Sequence, residues 1–246
     1  RYLIALSFLL LSSPDMLRAQ DFQQNPDQAY QYGLDLYQQG LYEEAGFAFE
    51  YFLSVFPDAP LHESALFYKV RSRAGSDSTH LPNYYEEFIE HYPSSEKAGL
   101  LYIDIAERLR RSEQVDQALQ YYGRALETGI RDDRSAEVRY QMAETAAEGG
   151  QTKDAIAFYL DMADEYPDSE WAPKALYARG RLYLTQSDYN ASSEAFELLK
   201  SRYPNDPVTR RVGTALGESY YQKGEYDQAI EALKNELKIG IIEADI

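Results

Sequence analysis

Cysteine is absent from all 246 residues. The chain therefore holds no disulfide framework, no thiolate metal site, no thiol nucleophile and no acceptor for a lipoprotein anchor. Histidine is scarce. His62, His80 and His91 fall in one short stretch without metal-ligand spacing or a zincin-type motif, so each reads as a surface or turn residue. Positive charge is outnumbered, 24 Lys+Arg against 41 Asp+Glu, for a net charge of -17 at pH 7. That balance argues against a nucleic-acid partner without a local basic stripe, and against docking on anionic lipid. The densest basic run, Arg108-Leu109-Arg110-Arg111, reads as a solvated helix face. No phosphate loop or dinucleotide fingerprint is present, and Gly149-Gly150 reads as a turn between helices. The carboxylates alternate with apolar residues at helical spacing, which marks solvated faces rather than catalytic pairs. No catalytic residue, metal site or cofactor is expected, and the chain does not read as an enzyme.

Long apolar runs are also lacking. The one notable run, Leu3–Leu11, is far short of the roughly 20 residues a bilayer-spanning helix needs. Arg1 precedes it, Ser12-Ser13-Pro14 breaks it, and Arg18-Ala19-Gln20 closes the segment. This is the pattern of a secretory signal peptide over residues 1–20, with the cut near Ala19. Export across the inner membrane follows, with the mature chain periplasmic or outer-membrane associated.

Tyrosine, by contrast, is abundant at 23 residues, and the rest of the chain repeats. Phe56-Pro57, Tyr92-Pro93, Tyr166-Pro167 and Tyr203-Pro204 recur at one phase, with Gly129-Ile130 in the remaining slot. Between them lie Gly40-Leu41-Tyr42, Gly150-Gln151-Thr152 and Gly224-Glu225-Tyr226, each followed three residues on by Ala45, Ala155 or Ala229. A period of about 37 residues with helical apolar spacing on both sides means stacked helix pairs. Proline biases the residue before it away from helix. Each aromatic-Pro pair therefore ends a second helix, and the polar residues after it cap the next first helix. Asn25-Pro26 and Asp206-Pro207 combine a capping side chain with proline at the first helical position. Gly33, Ala106, Ala143, Gly180 and Gly217 share a small slot on the first helices, with Val70 as the exception. Ala45, Ala118, Ala155, Ser192 and Ala229 form a second small slot, expected to face the first.

These residues resemble the tetratricopeptide repeat. The fold class implied is all-α, a right-handed α-solenoid of about six antiparallel helix pairs. The units are 26–57, 58–93, 94–130, 131–167, 168–204 and 205–241, within an array spanning 21–241. Residues 242–246 read as the start of a next unit, so a longer natural array is expected, with Ile239, Ile241, Ile242 and Ile246 on an apolar end. The turns Tyr166-Pro167-Asp168-Ser169-Glu170 and Tyr203-Pro204-Asn205-Asp206-Pro207 are similar to those of a bacterial envelope subgroup. That subgroup includes the periplasmic coordinator of the Tol–Pal system and the lipoprotein of the outer-membrane β-barrel assembly machinery. The chain departs from it in having no lipobox cysteine and no trimerising heptad segment.

The resemblance implies a non-catalytic scaffold that binds a protein segment of unknown identity along a groove lined by the first helices. The mature chain would not insert into a membrane or bind nucleic acid. Groove-facing side chains would be Tyr30, Leu34 and Tyr37, then Phe67 and Arg71, then Arg110, Tyr140, Tyr177, Arg181 and Tyr221. Aromatic and arginine side chains on one face suit interface anchors. The rival reading makes the array the docking or glycan-binding half of a peptidoglycan-active enzyme, or of a signalling protein, with its effector domain beyond Ile246.

Overall fold

The computed structural model describes residues 25–76 and 81–244, with the backbone alone for residues 81, 235 and 237–244. The signal-peptide reading, His80 and the side chains of the C-terminal isoleucines lie outside the described residues. Every regular element among those described is helical: α1 (Pro26–Gln38), α2 (Tyr42–Val55), α3 (His62–Ser76), α4 (Leu81–His91), α5 (Glu96–Arg111), α6 (Val115–Glu127), α7 (Asp132–Glu148), α8 (Thr152–Glu165), α9 (Trp171–Thr185), α10 (Tyr189–Arg202), α11 (Pro207–Arg210), α12 (Gly213–Gln222) and α13 (Tyr226–Ala244). The chain forms two compact units, Arg1–Leu101 and Tyr102–Ile246. In the first, α2 packs on α1 and α3, and α3 on α4. In the second, α7 packs on α6 and α8, α9 on α8 and α10, and α12 on α10 and α13. First helices also touch the next first helix, α1 with α3 and α7 with α9. This chain of neighbours is an α-solenoid.

The aromatic-Pro turns are near copies. Phe56, Tyr166 and Tyr203 end their helices at φ between -124° and -130° and ψ of 57–60°. This lies outside the α region, which a following proline disfavours in its neighbour. Each aromatic carbonyl then accepts from the N–H three residues on, at Ala59, Ser95, Ser169 and Asp206. The new helices open as their sequences predict. Asn25 accepts from Gln28 N–H, Asp206 from Val208 N–H, Ser95 from Lys97 N–H and Ser169 from Trp171 N–H. The last first helix is not continuous. After one turn it breaks at Arg211-Val212 and resumes as α12.

Within a pair, the turn is a Schellman closure. Leu41, Gln114, Gln151, Asp188 and Glu225 donate N–H bonds to the carbonyls five residues back. The residue just before each has φ near +60° to +80°: Gly40, Glu113, Gly150, Ser187 and Gly224. Glycine accepts this conformation freely, whereas an L side chain there costs roughly 1–2 kcal/mol.

The small slots meet as expected: Ser192 Oγ donates to the Gly180 carbonyl oxygen at 3.0 Å, and a Cβ on Gly217 would lie 3.3 Å from the Ala229 carbonyl oxygen. Larger side chains press closer still. A Cβ on Gly33 would lie 2.9 Å from Phe49 Cε1, one on Gly180 would lie 2.6 Å from Phe196 Cε1, and one on Gly217 would lie 2.9 Å from Leu233 Cγ. The first-helix slot thus receives a large side chain sixteen residues later, one turn beyond the second small slot. Phe49, Tyr122, Tyr159 and Phe196 occupy this position and are buried. The reason is geometric. Positions i and i+4 lie on one helix face, so the second small slot opens the approach and the ring beyond it fills the space.

Two expectations follow. In urea unfolding, Ser187→Gly should stabilise by about 0.5–1 kcal/mol and Gly150→Ala should destabilise by about 1 kcal/mol, because only the serine is held against its backbone preference. Unchanged stability in Ser187→Gly would show that the strain is relieved elsewhere. Gly180→Ala should cost about 1–3 kcal/mol by pressing a methyl into the Phe196 ring; a melting temperature equal to the parent's would disprove the tight contact.

Candidate partner-binding face

In the first unit, most residues expected to face a groove are held by packing. Tyr30 meets Phe49, Phe52 and Tyr68 edge-on, with centroids 5.7, 6.0 and 6.4 Å away. Tyr37 lies 5.3 Å from Tyr42 and 5.1 Å from Tyr68. Leu34 is half-buried against the same cluster. Phe67 is only 5% exposed and meets Phe88 edge-on at 5.8 Å. It is a core residue, and what faces outward beside it is Arg71, whose guanidinium lies 5.4 Å over the Phe67 ring. His62 Nδ1 sits 3.0 Å from Tyr92 Oη, and His91 Nδ1 is 2.7 Å from its own helix's Glu87 carbonyl oxygen.

In the second unit the first-helix face is polar. The position one past the small slot carries Glu107, Glu144, Arg181 and Glu218 in turn. Arg110 on α5 donates from Nε and Nη2 to both carboxylate oxygens of Glu148 on α7, at 2.7 and 2.5 Å, and from Nη1 to Gln141 Oε1 at 2.5 Å. This fork fixes the guanidinium plane. Two open clefts flank it. One, of about 520 Å³, is lined by Glu107, Arg110, Arg111, Gln141 and Glu148. The other, of about 550 Å³, adds Glu113, Val115, Thr145 and Gly149. Tyr140 is half-buried, 5.7 Å from Tyr159 and 4.9 Å from Trp171. Tyr159 donates its hydroxyl proton to Glu144. Tyr177 leans on Phe196 at 5.8 Å. Arg181 is exposed, and among the described residues it makes no hydrogen bond or ion pair. Tyr221 is exposed and touches only Tyr226, at 5.6 Å, among aromatic rings.

The structure thus brings Arg110 and Tyr140 into one neighbourhood around Glu144 and Glu148, leaves Arg181 and Tyr221 open, and takes Phe67 into the core. Gln141 and Glu148 were not found from the sequence. The signal was present, because Glu148 follows Arg110 by about one repeat period, and Arg202 pairs with Asp164 across the same interval at 2.5 Å.

Electrostatics follow from these contacts. The Arg110 hydrogen bonds hold the Glu148 carboxyl below the usual glutamate value of 4.5, against an opposing effect of burial. Burial first, then the neighbouring Glu144 charge, pushes Tyr140 up to about 12. Burial and the Glu144 hydrogen bond raise Tyr159 as well. These phenols stay neutral through the physiological range and offer hydroxyl donors.

Known proteins share the repeat architecture. A family model described as tetratricopeptide repeat, TPR_19, matches residues 109–180. These repeats are of the tetratricopeptide type. The family model YfiO, described as outer membrane lipoprotein, matches residues 172–238. Two curated relatives, the outer membrane protein assembly factors BamD of Neisseria gonorrhoeae and of Neisseria meningitidis serogroup A, are each 29% identical over 65 residues. That stretch is 26% of this chain and 24% of either relative, so the match spans about a quarter of the relatives' length. Among solved structures, the C-terminal part of a TPR repeat-containing protein from Cytophaga hutchinsonii gives a TM-score of 0.62 at 16% identity, covering 91% of this chain and 86% of that one. BtubC from P. vanneervenii gives 0.57 at 13% identity, covering 91% and 94%. A tetratricopeptide repeat protein from Parabacteroides merdae gives 0.52 at 16% identity, covering 87% and 80%. At these identities the structures show a shared fold. The tetratricopeptide array resembles the bacterial envelope subgroup through its last repeats.

The Glu148 contact sets a pH dependence. A carboxylate held low by a partner contributes stability above its unfolded value, and the contribution fades as pH falls through the folded value. Glu148→Gln should therefore be less stable than the parent at pH 7, by no more than about 1 kcal/mol because the pair is partly solvated. The gap should close below pH 4.5. A gap constant from pH 7 to pH 3 in urea titrations would rule out an ionic origin.

Proposed function

We propose that this chain is a non-catalytic protein–protein interaction scaffold of the bacterial envelope, which holds a partner segment against its first-helix face. The observation that carries the reading is the polar first-helix face of the second unit. There a pre-oriented Arg110–Glu148–Gln141 fork and the open Arg181 lie on rigid helices beside half-buried Tyr140 and Tyr177. Charged and aromatic side chains whose positions are fixed before binding lose little freedom on association. The envelope setting is supported by the match of residues 172–238 to an outer membrane lipoprotein model and by the likeness to an outer membrane assembly factor. No helix among the described residues is long and apolar enough to cross a membrane, which fits a scaffold beside a membrane rather than in it. The signal segment, residues 1–20, belongs to the same proposal, and cell fractionation tests it: a gene product confined to the cytosol would remove the envelope part.

Binding is tested by site-specific photocrosslinking in the native envelope. A photoreactive residue at the exposed first-helix position 218 should capture a discrete protein partner. The same residue at the exposed second-helix position Lys153 should not. Arg110→Ala combined with Arg181→Ala should reduce capture at least about tenfold, in the range of hot-spot truncations, with little change in melting temperature. Equal labelling at both positions, or capture indifferent to the double substitution, would refute the assignment.

A further inference from the structure

The aromatic-Pro turn between the fourth and fifth pairs and the start of α7 line an open cleft of about 540 Å³. Ala136, Tyr166, Pro167 and Trp171 give it an apolar surface, and Trp171 is the chain's only tryptophan. Carboxylates rim it, Asp132 and Asp133 from α7, Glu165 from the end of α8, and Asp168 and Glu170 from the turn. The repeat does not require this chemistry. One period later, Arg202, Asn205, Pro207 and Val208 stand where Glu165, Asp168, Glu170 and Trp171 stand here.

Three of the carboxylates already hold a cation. Glu165 pairs with Arg139 at 3.0 Å, Glu170 with Lys174 at 2.8 Å and Asp133 with Arg131 at 3.3 Å. Two of these cations also lie over the cleft's own rings. Arg139 is 5.7 Å from the Tyr166 centroid, and Lys174 is 4.1 Å from the Trp171 ring. The chain thus displays twice how these walls take a long basic side chain, with its apolar body on a ring and its head on a carboxylate. Asp132 and Asp168 make no hydrogen bond or ion pair among the described residues. A carboxylate in the first turn of a helix offsets its dipole, which accounts for Asp132 at the start of α7. Asp168 has no such role. It lies three residues before α9, and Ser169 rather than Asp168 accepts from the Trp171 N–H.

We propose that this cleft docks a basic protein segment, with lysine or arginine stems packed on Trp171 and Pro167 and charged heads meeting Asp132 and Asp168. Charge complementarity selects the occupant, because like charges crowded on one rim repel and a cation relieves them. The apolar surface favours a side chain with a methylene stem over a bare ion. The site lies at the turns between pairs and does not rest on the first-helix binding face.

Trp171 reports on the cleft by its own fluorescence. The full protein is titrated in low salt with the capped peptide Gly-Arg-Leu-Gly-Arg-Gly. Emission should change saturably, with a dissociation constant below about 1 mM, and added salt should weaken the binding. Asp132→Asn combined with Asp168→Asn should weaken it at least about fivefold. Asp154→Asn combined with Glu194→Gln, which removes two exposed carboxylates on α8 and α10, should change it less than about twofold. The same peptide with citrulline in place of both arginines should not bind. Thermal melting checks that both double variants are folded. No saturable change up to about 5 mM peptide would overturn the proposal, as would equal weakening by the two double substitutions or binding of the citrulline peptide. Spermidine or calcium chloride producing the same emission change at equal concentration would overturn it in favour of a small cation.

Discussion

The contact between a first-helix residue with almost no side chain and a ring sixteen residues later sets the spacing of four of the helix pairs. Gly33 receives Phe49 and Gly180 receives Phe196, with no room for a methyl group in either place. Full burial of such a ring is worth roughly 1.5–3 kcal/mol, and it recurs in four pairs, at Phe49, Tyr122, Tyr159 and Phe196. Because each pair buries its ring only when its helices approach closely, glycine or alanine at the slot decides the helix spacing before other contacts act. The choice also reaches the surface. Where the slot is glycine, the partner is phenylalanine at Gly33 and Gly180 and leucine at Gly217. Where the slot is alanine, as at Ala106 and Ala143, it is tyrosine, and the Tyr159 hydroxyl needs an acceptor. Glu144, the residue beside that slot, accepts it. A packing rule in the core thus places a carboxylate on the candidate binding face.

Turn chemistry makes the period strict. The aromatic before each proline has one narrow backbone conformation, and the turn within each pair needs one left-handed residue. Both are local constraints, so both are legible in sequence. The aromatic-Pro series, the glycines at 40, 150 and 224, and the Asn25-Pro26 and Asp206-Pro207 caps lead directly to helix boundaries and fold class. Glu113 and Ser187 fill the same left-handed position without any glycine to announce it, and only the 37-residue period identifies them. What faces the slot was less legible. Two small residues twelve apart do meet, as Ser192 and Gly180 show, but the large side chain one turn further on, which fills the first slot, was not read from the spacing.

The exposure of the expected groove residues was legible only in part, for a related reason. Counting one residue past a packing position moves about 100° around a helix, to the seam between neighbouring first helices. A short or charged side chain there reaches water, as Arg181 does. A tyrosine is long enough to lean onto the next apolar surface, and Tyr30, Tyr37, Tyr140 and Tyr177 all do so. Spacing gives the direction of a Cβ, but side-chain length and the neighbour's shape decide exposure. The tyrosines consequently act at the rim, with an apolar ring packed and a polar edge left to the surface.

The acidic excess bears on how this face works. With 41 acidic and 24 basic side chains, most cations have a carboxylate within reach. Pairs such as Lys97–Glu63 and Arg202–Asp164 join elements of neighbouring repeats at 3.2 and 2.5 Å. Each is partly exposed and worth little alone, but together they offset part of the self-repulsion of a strongly negative chain. Arg110 is held by two carboxylate oxygens and a carboxamide, so it cannot turn toward a ligand without breaking three bonds. Arg181 carries no such restraint. A partner carboxylate would find in Arg181 a cation with no bond to give up, and in Arg110 a fixed edge against which to register. The first would supply attraction and the second orientation, which is the division of labour that electrostatic complementarity gives to an interface.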